Sequence, residues 1–291
     1  MNKKIFWIAS FPKSGNTLVR AILASLFFSK NGKFSFNLLN NIKQLETFKT
    51  LDFIKKENPV DYKNLSDLKV LSKYFLKIQD KIIFNLNDND ACFLKTHSAF
   101  FEYFGNQFTT NEKTLGYIYI VRDPRDVALS LSHHMNVEID KAIKFMLNKN
   151  ASLKYTGNEK IDIDIKPPMM IGSWDLHLNS WGYFNVPKIF IKYEDLILYK
   201  KKTIIQIINF FKKTYNFKFN NIDEKIENIL LTTEFNTMKK NELKFGFNES
   251  VNNNSFFNVG KVKHWEKKLT ISQINLIEKN FKKEMKKLNY L

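Results

Sequence analysis

The chain has 291 residues, of which 44% are hydrophobic and 15% aromatic, and its formal net charge is +17. This composition excludes a disordered chain, and the length is sufficient for one sizeable α/β domain or two small ones. The single cysteine, Cys92, excludes an internal disulfide and a cysteine-built metal site. Lysine supplies nearly all of the positive charge, as translation of an AT-rich genome would, so Arg20, Arg122 and Arg125 are more informative than the lysine excess.

No run approaches ~18 uncharged apolar residues, so no membrane span is expected. The apolar stretch at the N-terminus is too short for a signal peptide and leads directly into a strand–turn–helix pattern. We therefore expect a cytoplasmic protein. The charge fits an anionic partner such as a nucleotide or nucleic acid. A nucleic-acid surface should interleave aromatic residues with arginine, whereas the basic excess here is diffuse lysine, so no nucleic-acid partner is expected.

Hydrophobic periodicity and turn residues predict alternating strands and helices. In chain order these are a strand over 4–10, a helix over 16–28, an amphipathic helix over 64–80 beginning near Ser66 or Asp67, a strand over 91–97, a strand over 115–121, a Pro-containing turn and a helix to 135, a polar loop or cap over 140–170, a helix over 172–184, a strand over 186–197 and a helix over 201–215. Because the alternation continues without repeats or a clear linker, we expect a single α/β domain with a central parallel β-sheet flanked by helices.

Three of the predicted strands end in polar residues, in the stretches FPKSGNT, KTHSAF and VRDPRD. In open parallel sheets, ligands bind beyond the carboxyl ends of the strands. These three stretches are far apart in sequence, yet the predicted fold would bring them to one edge. The sequence therefore predicts one binding site built from all three.

The first stretch places Lys13 and Gly15 in a tight turn between a strand and a helix. Such a turn directs backbone N–H groups at one small volume, which suits an anion such as phosphate. Asn16 and Thr17 add side-chain donors at the helix start. The order differs from a Walker A loop, because the lysine precedes the only glycine. An ordinary strand-to-helix turn explains the same residues.

Arg122 ends a predicted strand, where its guanidinium could bind a phosphate bidentately. Ser130, two turns into the following helix, could add a hydroxyl. The alternative is a helix start capped by Asp123 or Asp126, with the arginines paired to those carboxylates. Both interpretations can hold together, since an acid can orient an arginine that also contacts a ligand.

His97 and Lys95 lie two residues apart at the end of a strand, so their side chains point to the same side. A base beside a cation suits transfer of an anionic group to a hydroxyl, because the histidine takes the proton and the lysine stabilises the developing charge. A lone histidine is nevertheless more often structural. His133 and His134 have no carboxylate cluster at metal-ligand spacing and are interpreted as structural.

Together these stretches resemble the cytosolic-type sulfotransferases. FPKSGNT resembles their phosphosulfate-binding loop, VRDPRDVALS their 3′-phosphate segment and LKTH their Lys-Thr-His strand end; GSWDLHLNSW, KYEDL, TEFNTMKKN and VGKVKHW follow in the family's order. The resemblance implies a P-loop-NTPase-like topology, one sulfotransferase domain over 1–291, and a donor, 3′-phosphoadenosine 5′-phosphosulfate (PAPS), that leaves as 3′-phosphoadenosine 5′-phosphate (PAP). It implies no metal.

The resemblance also implies residue roles. His97 would be the base on the acceptor hydroxyl or amine, Lys13 would neutralise the departing 5′-phosphate oxygen, and Lys95 would contact the sulfuryl oxygens. Arg122 and Ser130 would hold the 3′-phosphate. The other donor-binding positions are Ser14, Gly15, Asn16, Thr17 and Leu18 in the loop, Tyr193, Thr233 and Phe235 along the adenosine, and Gly260.

Four positions depart from the family pattern. Leu18 stands where the family has a tryptophan that stacks on adenine, and Asn16 replaces a threonine. Asn258 and Val259 stand where two basic residues grip the 3′-phosphate, and each lost charged hydrogen bond costs ~1.5–3 kcal/mol. We predict that a neighbouring lysine, Lys261 or Lys263, substitutes for them.

Two other functions compete with this interpretation: a P-loop-type small-molecule kinase, and a sulfotransferase-like protein that binds the nucleotide without turnover. Segments 34–90 and 140–170 match the family least and are expected to wall the acceptor pocket. Their Phe and Leu residues suit a small hydrophobic alcohol or amine, although they fit the core of a capping subdomain equally well. A homodimer is left open by the sequence.

Overall fold

The structure is a computed structural model that describes residues 4–45, 48–86, 91–154, 167–247, 249 and 255–291. Its strands are β1 Lys4–Ser10, β2 Lys43–Gln44, β3 Ala91–Thr96, β4 Glu102–Tyr103, β5 Asn106–Gln107, β6 Thr114–Val121, β7 Ser152–Lys154, β8 Pro168–Met170 and β9 Lys188–Lys192. Its helices are α1 Asn16–Phe28, α2 Phe48–Glu57, α3 Pro59–Lys63, α4 Leu68–Ser72, α5 Phe75–Phe84, α6 Pro124–Met135, α7 Ile139–Leu147, α8 Trp174–Tyr183, α9 Tyr193–Leu198, α10 Lys200–Tyr215, α11 Ile222–Thr232, α12 Phe235–Phe245 and α13 Ile271–Lys287, with 3₁₀ turns at Phe36–Asn41 and His264–Lys267.

The main sheet has five strands in the order β2-β3-β1-β6-β9. β1 and β3 pair in parallel from Lys4 opposite Ala91 to Ala9 opposite Thr96, and β2 pairs in parallel with the other side of β3. Non-consecutive strands that pair in parallel need crossover connections, which the helices provide. The predicted α/β class with a central parallel sheet is therefore confirmed.

The chain divides into two compact units, each built from separate stretches of sequence. Unit 1 comprises the residues up to Phe11 together with Lys43–Ile118 and Phe145–Lys188. Aromatic rings fill its core: Trp181 packs on Trp7 and Tyr117 at centroid distances of 6.5 and 5.1 Å. The indole nitrogen of Trp7 donates to the Thr114 hydroxyl, so a fully buried ring still has its polar atom satisfied.

Unit 2 comprises Pro12–Ile42, Tyr119–Lys144 and Ile189–Leu291. A ring-rich cluster packs around α1 in this unit, with Ala21, Phe34, Leu39, Met238 and Phe257 at its buried centre. Phe34 and Phe257 are therefore core residues of this unit, and further phenylalanines pack on them partly buried.

The N-terminus of α6 is tied to the C-terminal part of unit 2 by Arg125. This buried guanidinium pairs with Asp123, donates to Glu278 and to the Tyr290 carbonyl, and lies 3.8 Å from the Trp265 ring centroid. Asp123 also accepts from the Arg125 N–H and so caps α6. The capping and pairing expected for Asp123 and Arg125 are thus both observed.

Three predicted elements differ from the structure. The helix expected over 64–80 is two helices, α4 and α5; Asp67 caps α4, but the Ser72 hydroxyl donates to the Lys69 carbonyl, a bond that competes with the helix ladder. The strand expected over 186–197 ends at Lys192 and α9 follows. A polar loop or cap is expected over 140–170 from the sequence; the loop is wrong for the first part of this segment, since α7 runs to Leu147 and buries Ala142, Ile143 and Met146.

Among the residues that the structure describes, no helix is both long and apolar enough to cross a membrane.

Candidate active site

The loop after β1 contains two residues in the left-handed backbone region, Lys13 at φ 66° and Gly15 at φ 100°. Gly15 is also the N-cap of α1, and its carbonyl accepts from the N–H groups of Leu18 and Val19. Left-handed residues in a turn before a helix form a concave array of backbone N–H groups that favours anions. The local geometry thus agrees with the expected anion-binding loop.

Gly15 is required here for a reason that the sequence did not reveal. A Cβ atom at this position would lie 2.5 Å from Cδ2 of Tyr193, so the loop backbone packs directly on that ring. Tyr193 begins α9 immediately after β9, and burial raises the pKa of its phenol. The structure thus gives Gly15 a packing role that the sequence did not predict, in addition to its expected place in the anion-binding loop.

Arg122 connects the loop to the end of β6. Its NH1 atom donates to the Lys13 carbonyl at 3.1 Å, and its guanidinium carbon lies 4.3 Å from the Tyr193 ring centroid. It therefore holds the loop rather than pairing with Asp123, the partner of Arg125. Lys13 in turn extends its ammonium over the ring of Phe256 at 4.3 Å.

Two buried donors beside this loop lack a hydrogen-bond partner among the described residues: the Ser14 hydroxyl and Nε of Arg122. Ser14 is fully buried and Arg122 is 9% exposed. Leaving such groups unsatisfied costs ~1–3 kcal/mol each, more for a charged group. A ligand with an anionic oxygen at each of these donors would recover that cost, so both residues fit a ligand that carries phosphate.

The predicted adenosine-lining residues cluster in the same unit. A Cβ at Gly260 would lie 2.2 Å from the ring of Phe235, so the two are in direct contact. Leu18 and Phe235 both pack, half-buried, against the ring cluster around α1. Thr233 is buried, and its hydroxyl donates to the Ile229 carbonyl.

The stretch after Gly260 is held by Asp126 on α6. Its two carboxylate oxygens accept from the backbone N–H groups of Lys263 and Trp265, each at 2.9 Å. Burial raises the pKa of Asp126, and Arg122 acts in the opposite direction. The side chains of Lys261 and Lys263 are exposed, so they have room to reach a ligand.

The sequence analysis did not identify one lysine that lies near Asn258 and Val259, the two positions where the family has basic residues. The ammonium of Lys239, on α12, donates to the Asn258 carbonyl at 3.4 Å. Ser130 is half-buried and lies about two turns into α6, the helix that follows Arg122, as the sequence predicts.

His97 lies in unit 1, one residue beyond the end of β3. Its Nδ1 atom is 2.8 Å from the Ser10 carbonyl and 3.3 Å from the Ser10 hydroxyl. Because a carbonyl only accepts, the neutral ring carries its proton on Nδ1, which leaves the Nε2 lone pair as the basic site. The contact thus selects the tautomer that a general base needs.

Helix α8 fixes the backbone that carries His97. Nε2 of His177 donates to the His97 carbonyl at 3.0 Å, and the Trp181 indole donates to the Ser98 carbonyl at 3.1 Å. Both residues belong to the stretch GSWDLHLNSW, which resembles the family but for which the sequence predicted no residue roles. Lys95 is 6% exposed on β3 between β1 and β2, and its carbonyl accepts from the Leu45 N–H.

Within the described ranges, no three His, Cys, Asp or Glu side chains form a group that could hold a metal ion.

Residues 3–289 match the sequence model of the family described as the sulfotransferase domain. The chain therefore belongs to the sulfotransferase family. An amine sulfotransferase of Oryctolagus cuniculus is 26% identical over 180 residues, which cover 58% of this chain and 54% of the relative. Sulfotransferase 1B1 of Mus musculus is 26% identical over 175 residues, covering 58% and 53%. The matched part spans about half the length of these relatives.

Solved structures share the fold across nearly the whole chain. A mouse sulfotransferase, SULT7A1, complexed with PAP has a TM-score of 0.59 at 19% identity and covers 98% of this chain and 84% of its own. Retinol dehydratase with androsterone and PAP has a TM-score of 0.61 at 17% identity and covers 98% and 82%. At these identities the likeness establishes the fold.

Replacing Gly15 with alanine tests the loop geometry. We expect Gly15→Ala to lower the free energy of unfolding by about 1–3 kcal/mol, because φ is positive and the new methyl meets Tyr193. Gly182→Ala is the matched control, since no atom lies within 4 Å of a Cβ there. Urea unfolding measures both variants, and equal stability of the two would contradict the packing described.

His177 should make stability depend on pH. Burial lowers its pKa from 6.5 to about 4, so the unfolded chain binds the proton more readily between those values. Stability should therefore rise by up to about 3 kcal/mol as pH increases from 4 to 7. The His177→Gln variant keeps a donor for the His97 carbonyl but should show a shallower rise in chemical denaturation. An unchanged pH profile in this variant would refute the assignment.

Proposed function

We propose that residues 1–291 act as one sulfotransferase domain that transfers the sulfuryl group of PAPS to a hydroxyl or amine of a small-molecule acceptor. The observation that carries this proposal is the loop at Lys13 and Gly15, which Arg122 holds. The Ser14 hydroxyl and Nε of Arg122, both buried, have no hydrogen-bond partner in the part of the chain that the structure describes. That arrangement suits an anionic donor in a chain of the sulfotransferase family. PAP, present in the structures of related fold, would be the product.

The proposed roles in unit 2 concern donor binding. The N–H groups of the loop, the Ser14 hydroxyl and the side chains of Asn16 and Thr17 would bind the 5′-phosphate. Lys13 would neutralise charge as that phosphate departs. Arg122 and Ser130 would hold the 3′-phosphate, since a guanidinium already fixed by the Lys13 carbonyl keeps Nε for another acceptor.

The adenosine would lie against Tyr193, Thr233 and Phe235. Leu18 cannot stack as the family's tryptophan does, but it belongs to a ring-rich cluster, and Phe235 in that cluster supplies an aromatic face. Lys261 or Lys263 would replace the basic pair lost at 258 and 259, and Lys239 is a further candidate because its ammonium already reaches the Asn258 carbonyl.

The donor supplies an activated sulfuryl group whose bond to the 5′-phosphate oxygen breaks as sulfur bonds to the acceptor. Nε2 of His97 would take the acceptor's proton, and its tautomer is already set by the Ser10 carbonyl. Lys95 would stabilise the sulfuryl oxygens. In this proposal the side chains position the donor and acceptor for in-line transfer of the sulfuryl group and stabilise the charge that develops on it. None of the proposed steps requires a metal.

The acceptor is proposed to be a small hydrophobic alcohol or amine. Retinol and androsterone are bound by retinol dehydratase, which shares the fold, and one matched relative is named an amine sulfotransferase. Segments 34–90 and 140–170 are proposed as walls of the acceptor pocket; of these, residues 46–47, 87–90 and 155–166 lie outside the described ranges.

Calorimetry with two nucleotides tests the donor assignment. We expect PAP to bind at least about tenfold more tightly than adenosine 5′-phosphate, because the 3′-phosphate adds charge-assisted hydrogen bonds. Ser130→Ala should narrow this difference, whereas Ser132→Ala on the same helix should not. Equal affinities for the two nucleotides in the unmodified protein would remove PAPS as the donor.

Replacing His97 with alanine tests the base. Turnover of labelled PAPS, measured across a panel of hydroxylated and amino acceptors, should fall by about 10²-fold or more, with PAP affinity nearly unchanged. His133→Ala is the control, since that histidine lies in the last turn of α6. Full activity in His97→Ala would place the base elsewhere.

The same assay separates the competing functions. A chelator should leave the rate unchanged, and dependence on a divalent cation would favour the kinase. PAP binding without turnover of any acceptor would favour a nucleotide-binding homologue that lacks activity.

A further inference from the structure

Glu249 contacts helix α1 through both oxygens of its carboxylate. One oxygen accepts from the Thr17 hydroxyl at 3.1 Å, and the other is paired with NH1 of Arg20. Arg20 also donates to the Ile42 carbonyl at 3.2 Å. Thr17 and Arg20 are each 5% exposed, so this contact is largely removed from water.

The position of the carboxylate matters because of what Thr17 is expected to do. Thr17 and Arg20 lie three residues apart on α1 and so share a helix face. Thr17 is in the first turn, where the helix dipole favours negative charge. A carboxylate at this position occupies a site whose hydroxyl, guanidinium and helix end all favour an anion.

We propose that Glu249 is an internal competitor of the donor's 5′-phosphate for Thr17. The inference rests on the proposed function, in which Thr17 binds that phosphate. A threonine hydroxyl has one proton, so it can donate to Glu249 or to a phosphate oxygen but not fully to both. Donor binding therefore exchanges one anion for another at Thr17.

The exchange also changes the charge beside the loop. While Glu249 pairs with Arg20, the guanidinium is neutralised within the protein. When the carboxylate leaves, the positive charge of Arg20 is available to attract the phosphates. The observed donor affinity then equals the intrinsic affinity multiplied by the fraction of molecules in which Glu249 does not occupy Thr17.

A neutral side chain at 249 tests the competition. We expect Glu249→Gln to bind PAP about tenfold more tightly, the effect of about one charge-assisted hydrogen bond. Glu278→Gln is the matched control: Glu278 pairs with the buried Arg125, and the side chains of Glu249 and Glu278 are similarly exposed, at 26% and 28%. This control should leave PAP affinity within about twofold of the unmodified protein.

The direction of the change in PAP affinity distinguishes competition from the opposite role, in which Glu249 helps to retain the bound nucleotide. In that role Glu249→Gln should weaken PAP binding, and either this result or an unchanged affinity would overturn the inference. Thr17→Val provides a second test, because without the hydroxyl the gain from Glu249→Gln should shrink in a double-mutant cycle. An undiminished gain would show that Thr17 is not the shared group.

Failure of this inference is distinct from failure of the proposed function. If the unmodified protein does not bind PAP, the proposed function fails. If it binds PAP and Glu249→Gln binds no more tightly, only the competition fails. Circular dichroism and thermal unfolding confirm that each variant is folded before its affinity is compared.

Discussion

Arg122 donates to the Lys13 carbonyl while its guanidinium covers the ring of Tyr193. The same ring packs against Gly15, so one aromatic side chain supports both the arginine and the loop. A left-handed turn at Lys13 is costly for a residue with a side chain, and this contact helps to hold it. The donor site proposed for unit 2 depends on this three-part contact, because it positions the N–H groups of the loop and Nε of Arg122, which has no partner among the described residues.

In unit 1, the proposed base His97 is also held by contacts to the backbone. The Ser10 carbonyl fixes the proton on Nδ1 of His97, and His177 fixes the backbone carbonyl of the same residue. Because His177 is buried with a pKa lowered to about 4, it remains a neutral donor near neutral pH. In both units, therefore, a side chain with a proposed role in the reaction contacts a backbone carbonyl of another element: Arg122 that of Lys13, and His97 that of Ser10.

The sequence predicted much of the fold because its strongest signals are local. The apolar run before FPKSGNT and the helix pattern after it gave β1 and α1 with the observed bounds. Contacts between residues distant in sequence could not be inferred: Tyr193 against Gly15, Lys239 at the Asn258 carbonyl, and Glu249 on Thr17. Local chemistry also misled, since the polar stretch beginning at 140 hides an apolar helix face that becomes buried in α7.

A crystal structure of the protein with PAP tests the central claim most directly. We expect the 3′-phosphate within hydrogen-bond distance of Nε of Arg122, with the bond from Arg122 to the Lys13 carbonyl retained and the 5′-phosphate in the loop at Ser14 and Gly15. PAP bound away from this loop, or an arginine that abandons the Lys13 carbonyl and makes no contact with phosphate, would contradict the account.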